Sequence, residues 1–195
     1  MKCAIILAAG KSDRMGAQKV LLPLRGTTVL GHIVDRIARS AVERIFVVVG
    51  HEGERVAEAL RGAPASIVKN PDHEAGMLSS VRCGLRALPE ECEAVLVALG
   101  DQPRITTEVV DAMARAFSSG GKGIVVPVYR GERGHPILFA ARYRNEILER
   151  HDDVGLRGLL AAHPDDILDL EVADAAVLSD MDDPDAYRRE QRALG

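Results

Sequence analysis

The stretch Leu7-Ala-Ala-Gly-Lys-Ser-Asp-Arg-Met-Gly-Ala-Gln-Lys19 decides how the chain is interpreted, because it directly continues the apolar run at residues 3–7. A short apolar run predicts a buried strand, and the glycines after it predict a loop. Glycine lets backbone N–H groups approach an anion closely. The loop also carries three cations, Lys11, Arg14 and Lys19. It therefore predicts a binding loop for a nucleoside triphosphate, with a solvated surface loop as the alternative.

The spacing of the glycines excludes the two commonest phosphate loops. A Walker loop has four residues between its glycines and then Lys and Ser or Thr. Here five residues separate Gly10 from Gly16, and Ala17 follows. The dinucleotide pattern G-x-G-x-x-G is also absent from the sequence.

Composition excludes several classes of protein. A net charge of −4 argues against a general nucleic-acid binder, and 3% aromatic residues leave few side chains for stacking on bases.

The cysteines Cys3, Cys83 and Cys92 show no metal-binding spacing. We therefore expect reduced thiols, with Cys3 and Cys83 in the core, and a cytoplasmic protein. No apolar window has the length of a membrane span or the layout of a signal peptide.

Apolar runs alternate with helical patterns along the 195 residues, which is typical of parallel βαβ units. Strands are predicted at residues 3–7, 45–49, 65–69, 94–99, 124–128, 137–139, 167–170 and 176–178. Helices are predicted at residues 29–39, 54–60, 78–88, 142–149, 156–162 and 184–192, and from Thr106 or Thr107 to residue 117. We expect one α/β domain over residues 1–195, with a nucleotide-binding half at 1–104 and a half at 105–195 that completes the site. The polar turn at residues 130–134 predicts a small antiparallel part in the second half.

A second signal is Leu99-Gly-Asp-Gln-Pro103, which places Asp101 just after an apolar strand. Open α/β sheets bind ligands beyond the carboxyl ends of their strands. A carboxylate there can hold Mg²⁺, which prefers oxygen ligands and would bridge triphosphate oxygens. The alternative is an ordinary turn, because Gly-Asp-x-Pro is favourable turn chemistry.

A third signal is Asn70-Pro-Asp-His-Glu-Ala-Gly-Met-Leu-Ser-Ser80, between a predicted strand and a predicted helix. Gly76, Ser79 and Ser80 would bring small groups and hydroxyls to the helix N-terminus, which receives anions well. Asn70 would contact a base edge or a ribose. The alternative is that Ser79 or Ser80 caps the helix.

Together these three motifs resemble the MobA-like nucleotidyltransferases, and within them the molybdenum cofactor cytidylyltransferases. The second half agrees, with Arg133-Gly-His-Pro136, Asp153-x-Gly-x-Arg157 and Asp180-Met-Asp-Asp-Pro-Asp185 in the family's order. The Ala-Ala-Gly form of the loop favours the cytidylyltransferase branch over the guanylyltransferases, whose loop more often reads Ala-Gly-Gly. The resemblance covers essentially the whole chain.

The resemblance implies a Rossmann-like, three-layer α/β/α nucleotidyltransferase fold with a mostly parallel sheet. It implies a reaction in which CTP and the molybdenum cofactor give molybdopterin cytosine dinucleotide and pyrophosphate. The implied metal is Mg²⁺, with Mn²⁺ as an alternative. The implied protein partner is a molybdenum hydroxylase or its chaperone, and neither nucleic acid nor a membrane is expected as a partner.

The resemblance also implies roles for individual residues. The implied catalytic residues are Arg14, Lys19 and Asp101, and the implied metal ligands are Asp101 and Asp182, with Asp180 as a further candidate. The implied nucleotide-binding residues are Leu7, Ala8, Ala9, Gly10, Arg14, Lys19, Asn70, Gly76, Ser79 and Ser80. The implied acceptor-binding residues are His135, Asp153, Gly155 and Arg157.

Plainer structural roles stay open for the residues in the second half. Asp180 and Asp182 would otherwise form a polar turn and helix cap, and His135 a structural turn. Asp153 would cap a helix on which Arg157 is a solvated charge.

Two positions depart from the family pattern, and two rival functions remain. Asp152 stands where a glycine is common, and Asp183 stands where a threonine is usual.

One rival function is transfer of another nucleotide, such as GMP, or the use of a different phosphorylated acceptor. The other is a nucleotide-binding insertion factor for a molybdenum enzyme that performs no catalysis.

Overall fold

A computed structural model of the protein describes residues 1–11, 18–152 and 154–194. Within these ranges the strands are β1 (Lys2–Ala8), β2 (Pro23–Leu24), β3 (Thr27–Thr28), β4 (Arg44–Val49), β5 (Ser66–Lys69), β6 (Ala94–Leu99), β7 (Ile124–Tyr129), β8 (Glu132–Arg133), β9 (Ile137–Ala140) and β10 (Ile167–Glu171). The helices are α1 (Val29–Ala38), α2 (Gly53–Ala59), α3 (Met77–Ala87), α4 (Thr107–Ser119), α5 (Arg144–Glu149), α6 (Leu156–Ala162) and α7 (Pro184–Leu194). None of these helices combines the length and the apolar character needed to span a bilayer.

The main sheet has the strand order β10-β7-β9-β6-β1-β4-β5, and β8 pairs with β7 at one side. Strands β6, β1, β4 and β5 run parallel to one another. Strand β9 is antiparallel to both of its neighbours, β6 and β7, and β10 is parallel to β7. The mostly parallel sheet with a small antiparallel part in the second half is therefore confirmed.

Helices cover both faces of this sheet, which gives the three layers expected for the fold. Successive strand residues point to opposite faces, so Ile6 packs in one core and Ile5 in the other. The Ile6 core includes buried side chains of α1, α4 and α7, and the Ile5 core includes those of α3, α5 and α6. Burial on both faces explains why the central strands read as continuous apolar runs.

The structure tests three of the sequence predictions: the strand at residues 176–178, the cap of α4 and the burial of two cysteines. The strand predicted at residues 176–178 is wrong: Ala175–Leu178 forms a 3₁₀ turn, because the carboxylate of Asp174 accepts from the backbone N–H of Ala176 at 2.8 Å. Thr106 caps α4, since its hydroxyl accepts from the N–H of Val109. Cys3 is buried as expected, whereas Cys83 is partly exposed.

Helix α3 approaches β1 closely because residue 84 is glycine. A methyl group at Gly84 would lie 2.7 Å from Cγ2 of Ile5, and Ile5 is 0% exposed. Since α3 follows β5, it begins at the edge where the parallel strands end. The contact between Gly84 and Ile5 therefore sets the distance between the sheet and the helix whose first turn faces that edge.

We expect Gly84→Ala to destabilise the protein by about 1–3 kcal/mol, because the added methyl group overpacks against Ile5. Ile5→Ala alone should cost about 2–5 kcal/mol through the cavity that it leaves. In the double variant the new methyl group enters that cavity, so the combined loss should be smaller than the sum. Urea denaturation of the three variants measures this.

Ile6→Ala is the matched control, because Ile6 lies on the opposite face of β1. Its effect should add to that of Gly84→Ala within about 0.5 kcal/mol. If the Ile5 and Gly84 substitutions were equally additive, the contact between them would not control the packing of α3.

Candidate active site

A cleft of about 420 Å³ opens at the edge of the sheet where β1 and β6 end. This is the edge at which open parallel sheets bind ligands, and the volume is typical of a small-molecule site. The residues that line the cleft are Leu7, Ala8, Ala9, Gly10, Gln18, Lys19, Val20, His73, Gly76, Met77, Ser80, Leu99, Asp101, Asp180 and Asp182. The lining thus brings the loop after β1, the start of α3, the end of β6 and the segment before α7 into one place.

The Lys19 ammonium lies between two carboxylates of this lining. Its Nζ is 2.5 Å from Oδ2 of Asp101 and 2.8 Å from Oδ1 of Asp182. The side chains of Lys19 and Asp101 are 17% and 18% exposed, and that of Asp182 is 48% exposed. Burial by itself lowers the pKa of Lys19, but the two carboxylates outweigh it, so the pKa lies above its ordinary value. Lys19 is therefore a cation at neutral pH.

Gly100 allows β6 to bring Asp101 this close to β1. The N–H of Gly100 donates to the carbonyl of Leu7 at 2.9 Å. A methyl group at residue 100 would lie 2.7 Å from the same oxygen, closer than carbon and oxygen can approach. The glycine of the Gly100-Asp101 motif thus has a packing role, and the aspartate after it reaches Lys19.

Gln18 is a site residue that the sequence analysis missed. Its side chain is buried, and its amide nitrogen donates to the carbonyl of Gly10 at 3.1 Å and to that of His51 at 3.0 Å. These two bonds tie the chain just before Lys19 to the ends of β1 and β4. A single glutamine in a polar loop carries no sequence signal for such a contact.

The predicted nucleotide-binding side chains at α3 are bonded to one another. Asn70 is buried, and its amide nitrogen donates to the hydroxyls of Ser79 at 2.9 Å and Ser80 at 3.0 Å. The Ser79 hydroxyl donates within this turn, lying 2.9 Å from the carbonyl of Asp72 and 2.8 Å from that of Gly76. Gly76 and Ser80 line the cleft, whereas Asn70 and Ser79 are not among the lining residues. Their hydrogen bonds instead stabilise the turn that precedes α3.

His135 reaches the same edge because an antiparallel strand begins where its parallel neighbours end. Ile137 of β9 pairs with Val97 near the end of β6, and the N–H of His135 donates to the carbonyl of Val177. Burial lowers the pKa of the imidazole; Asp101 and Asp180 oppose this shift and Arg157 adds to it. His135 is thus neutral at pH 7 and lies within electrostatic range of both the carboxylates and Arg157.

Two of the remaining predicted acceptor residues, Gly155 and Arg157, are among the described residues. Gly155 has a left-handed backbone with φ of 61° and precedes α6, and Arg157 is exposed in the first turn of that helix. Arg14 and Asp153 lie outside the described residues, so their predicted roles stay predictions.

Arg104 is a second residue that the sequence analysis missed. Its guanidinium donates to the hydroxyl of Ser179 at 3.1 Å and lies 3.3 Å from the carboxylate of Glu190 in α7. Burial raises the pKa of Glu190. Arg104 therefore joins the loop after Asp101 to the segment that carries Asp182, which keeps the two carboxylates of the site together.

Comparison with known proteins identifies the family. Residues 4–167 match the family described as the MobA-like NTP transferase domain. The molybdenum cofactor cytidylyltransferase of Escherichia coli is 30% identical over 184 residues, which are 94% of this chain and 92% of that protein. The bifunctional protein GlmU of Kineococcus radiotolerans is 37% identical over 126 residues, which are 63% of this chain but only 26% of that protein.

Solved structures share the fold over its full length. A nucleotidyl transferase from Methanothermobacter has 26% identity and a TM-score of 0.87, covering 100% of this chain and 97% of its own. Rv0371C of Mycobacterium tuberculosis in complex with manganese has 28% identity and a TM-score of 0.79, covering 99% of both chains. A family match of this length, together with a shared fold, means that the chain belongs to the MobA-like NTP transferase domain family and is a nucleotidyltransferase.

Proposed function

We propose that the chain transfers CMP from CTP to the terminal phosphate of the molybdenum cofactor, giving molybdopterin cytosine dinucleotide and pyrophosphate. The observation that carries the proposal is the Lys19 ammonium held between Asp101 and Asp182 in the cleft. A triphosphate needs a cation beside it, and carboxylates suit a divalent metal. The identity of 30% to a molybdenum cofactor cytidylyltransferase supports the choice of nucleotide and acceptor.

The nucleotide is assigned to the part of the cleft that is lined by the end of β1, by Lys19 and by the start of α3. The backbone at the end of β1 and in the loop after it, at Ala8, Ala9 and Gly10, contacts the base and the phosphates, and Lys19 neutralises the triphosphate. All four residues line the cleft. At the start of α3, Ser80 contacts the base or the ribose. The hydrogen bonds from Asn70 described above fix the position of that hydroxyl.

The chemistry needs little acid or base assistance from the protein. An oxygen of the acceptor phosphate is already an anion and attacks the α-phosphorus of CTP. A new P–O bond forms, the bond from the α-phosphorus to the bridging oxygen breaks, and pyrophosphate leaves with that electron pair. Positioning and electrostatic stabilisation dominate such transfers. The neutral His135 and the cationic Arg157 are assigned to the acceptor, because His135 lies within electrostatic range of both Asp101 and Arg157.

Asp101 and Asp182 fit Mg²⁺, because their carboxylates already converge on one cation, the Lys19 ammonium. Among the described residues, no group of three or more His, Cys, Asp or Glu side chains could hold a metal alone. Mg²⁺ commonly binds through one or two carboxylates together with substrate phosphates, and when bound it neutralises charge on the phosphates. Mn²⁺ accepts the same oxygen ligands, and Rv0371C was solved with manganese.

The product is assigned to a molybdenum hydroxylase or to its chaperone, in the cytoplasm. The cysteines Cys3, Cys83 and Cys92 are free thiols, and reduced thiols are usual in a reducing compartment.

The direct test is to incubate the protein with Mg²⁺, the molybdenum cofactor and each nucleoside triphosphate in turn. We expect pyrophosphate release that requires the cofactor and is fastest with CTP. Preference for GTP would reject the cytidylyl assignment. Binding of CTP without pyrophosphate release under any of these conditions would favour a non-catalytic insertion factor.

We expect Lys19→Ala to lower kcat/KM for CTP at least tenfold, which corresponds to about 1.4 kcal/mol of transition-state stabilisation. The cause is loss of the cation that neutralises the triphosphate. Lys122→Ala is the control, since Lys122 is exposed and precedes β7 at the opposite edge of the sheet. Equal kinetics for the two variants would remove Lys19 from the site.

We expect Asp101→Asn to lower turnover by on the order of 100-fold and to raise the Mg²⁺ concentration needed for half-maximal rate, as loss of a strong electrostatic contact does. Asp182→Asn should act in the same direction but less strongly, because its side chain is more exposed. Asp185→Asn, in the exposed first turn of α7, is the control. Unchanged metal dependence in the Asp101 variant would exclude this carboxylate as a metal ligand.

A further inference from the structure

Arg82, in the second turn of α3, contacts the last turn of α5 and the segment that follows it with its whole guanidinium group. Its Nε donates to the carbonyl of Ile147 at 2.8 Å, and its Nη2 donates to the carbonyl of Arg150 at 2.8 Å. Its Nη1 pairs with the carboxylate of Asp152. The Arg82 side chain is only 17% exposed, so these contacts are made in a largely enclosed position.

These contacts complete the C-terminal end of α5. The last carbonyls of a helix have no partner within the helix, and Ile147 lies in the final turn of α5. The guanidinium is a rigid planar fork that can donate to several acceptors at once, and a cation is favourable at a helix C-terminus. Arg82 thus fixes the direction in which the chain leaves α5.

The fixed segment leads directly to the acceptor side. After Arg150, the His151 imidazole pairs with the carboxylate of Glu146 at 2.8 Å. The N–H of Gly155 donates to the carbonyl of His151 at 2.8 Å. Helix α6 then begins at Leu156, with Arg157 in its first turn. The positions of Gly155 and Arg157 therefore depend on where Arg150 and His151 are held.

The first turn of α3, the helix that carries Arg82, lines the cleft, with Met77 and Ser80 among the lining residues. Ser79 and Ser80 lie in the first turn of α3, and Arg82 follows within the next turn. A single helix thus carries a group that lines the cleft and the group that anchors the acceptor segment. We propose that Arg82 is a positioning residue that sets Gly155 and Arg157 relative to the bound nucleotide; this rests on the proposed function.

The two carbonyl bonds should matter more than the ion pair. The Asp152 side chain is 69% exposed, and exposed ion pairs are screened by solvent and contribute little. Loss of the guanidinium, in contrast, removes the partners of two backbone carbonyls in a largely enclosed position. We therefore expect Arg82→Met to have a large effect and Asp152→Asn a small one.

The kinetic experiment compares Arg82→Met with Arg86→Met, because Arg86 is exposed one turn further along α3. Arg82→Met should raise KM for the molybdenum cofactor about tenfold while KM for CTP stays within about twofold. Arg86→Met and Asp152→Asn should leave both values within about twofold. Arg82→Lys should give an intermediate KM for the cofactor, because an ammonium cannot reproduce the fork. A general loss of folding would instead lower the concentration of active enzyme, and so the apparent kcat, without a selective rise in KM for the cofactor.

Amide hydrogen exchange tests the contact independently of activity. Residues 147–152 should exchange faster in the Arg82→Met protein than in the wild type, and at the wild-type rate in the Arg86→Met protein. Equal exchange in the two variants, or a cofactor KM unaffected by Arg82→Met, would overturn the proposal. If the wild-type protein released no pyrophosphate with any triphosphate and cofactor, the proposed function would fail, and a wild-type exchange rate in the Arg82 variant would still refute the anchor.

Discussion

The rest of the site depends on one interaction, in which the Lys19 ammonium lies between the carboxylates of Asp101 and Asp182. Lys19 comes from the segment after β1, Asp101 follows the end of β6, and Asp182 lies in the segment before α7. Partly buried ion pairs lose solvation and add little to folding stability, which supports our proposal that this arrangement serves to bind a ligand. Under the proposed function, Asp101 and Asp182 would hold a divalent cation, and the Lys19 ammonium would pair with a phosphate.

Sheet topology explains how both halves of the chain reach this contact. Strands β1 and β6 end at the edge of the sheet where the cleft lies. The antiparallel β9 starts at this same edge, and His135 lies just before it in the chain. Because β9 pairs with β6, the predicted halves at residues 1–104 and 105–195 share one sheet; their division into a nucleotide half and an acceptor half stays a prediction. One reversed strand is enough to bring His135, which we assign to the acceptor, within electrostatic range of Asp101.

Much of the fold could be predicted from the sequence, because buried central strands leave continuous apolar runs such as residues 94–99. The strand predicted at residues 176–178 failed because a local hydrogen bond from Asp174 outweighed a short apolar run. The positions of Lys19 and Asp101 in one cleft followed from motifs at strand ends. Gln18, Arg104 and Arg82 could not be found, since each acts on backbone or side-chain groups that only the folded chain brings near.

Asp152 shows how a departure from a family pattern can be compatible with the same site. A glycine is needed only where the backbone is left-handed or crowded. Among the described residues of this segment, those with a left-handed backbone are His151, with φ of 75°, and Gly155, with φ of 61°. Asp152 is not among the left-handed residues, so its side chain carries no such backbone penalty, and it meets a cation that already anchors the chain. The substitution therefore adds an exposed ion pair to an existing set of carbonyl contacts, which is consistent with the positioning role that we propose for Arg82.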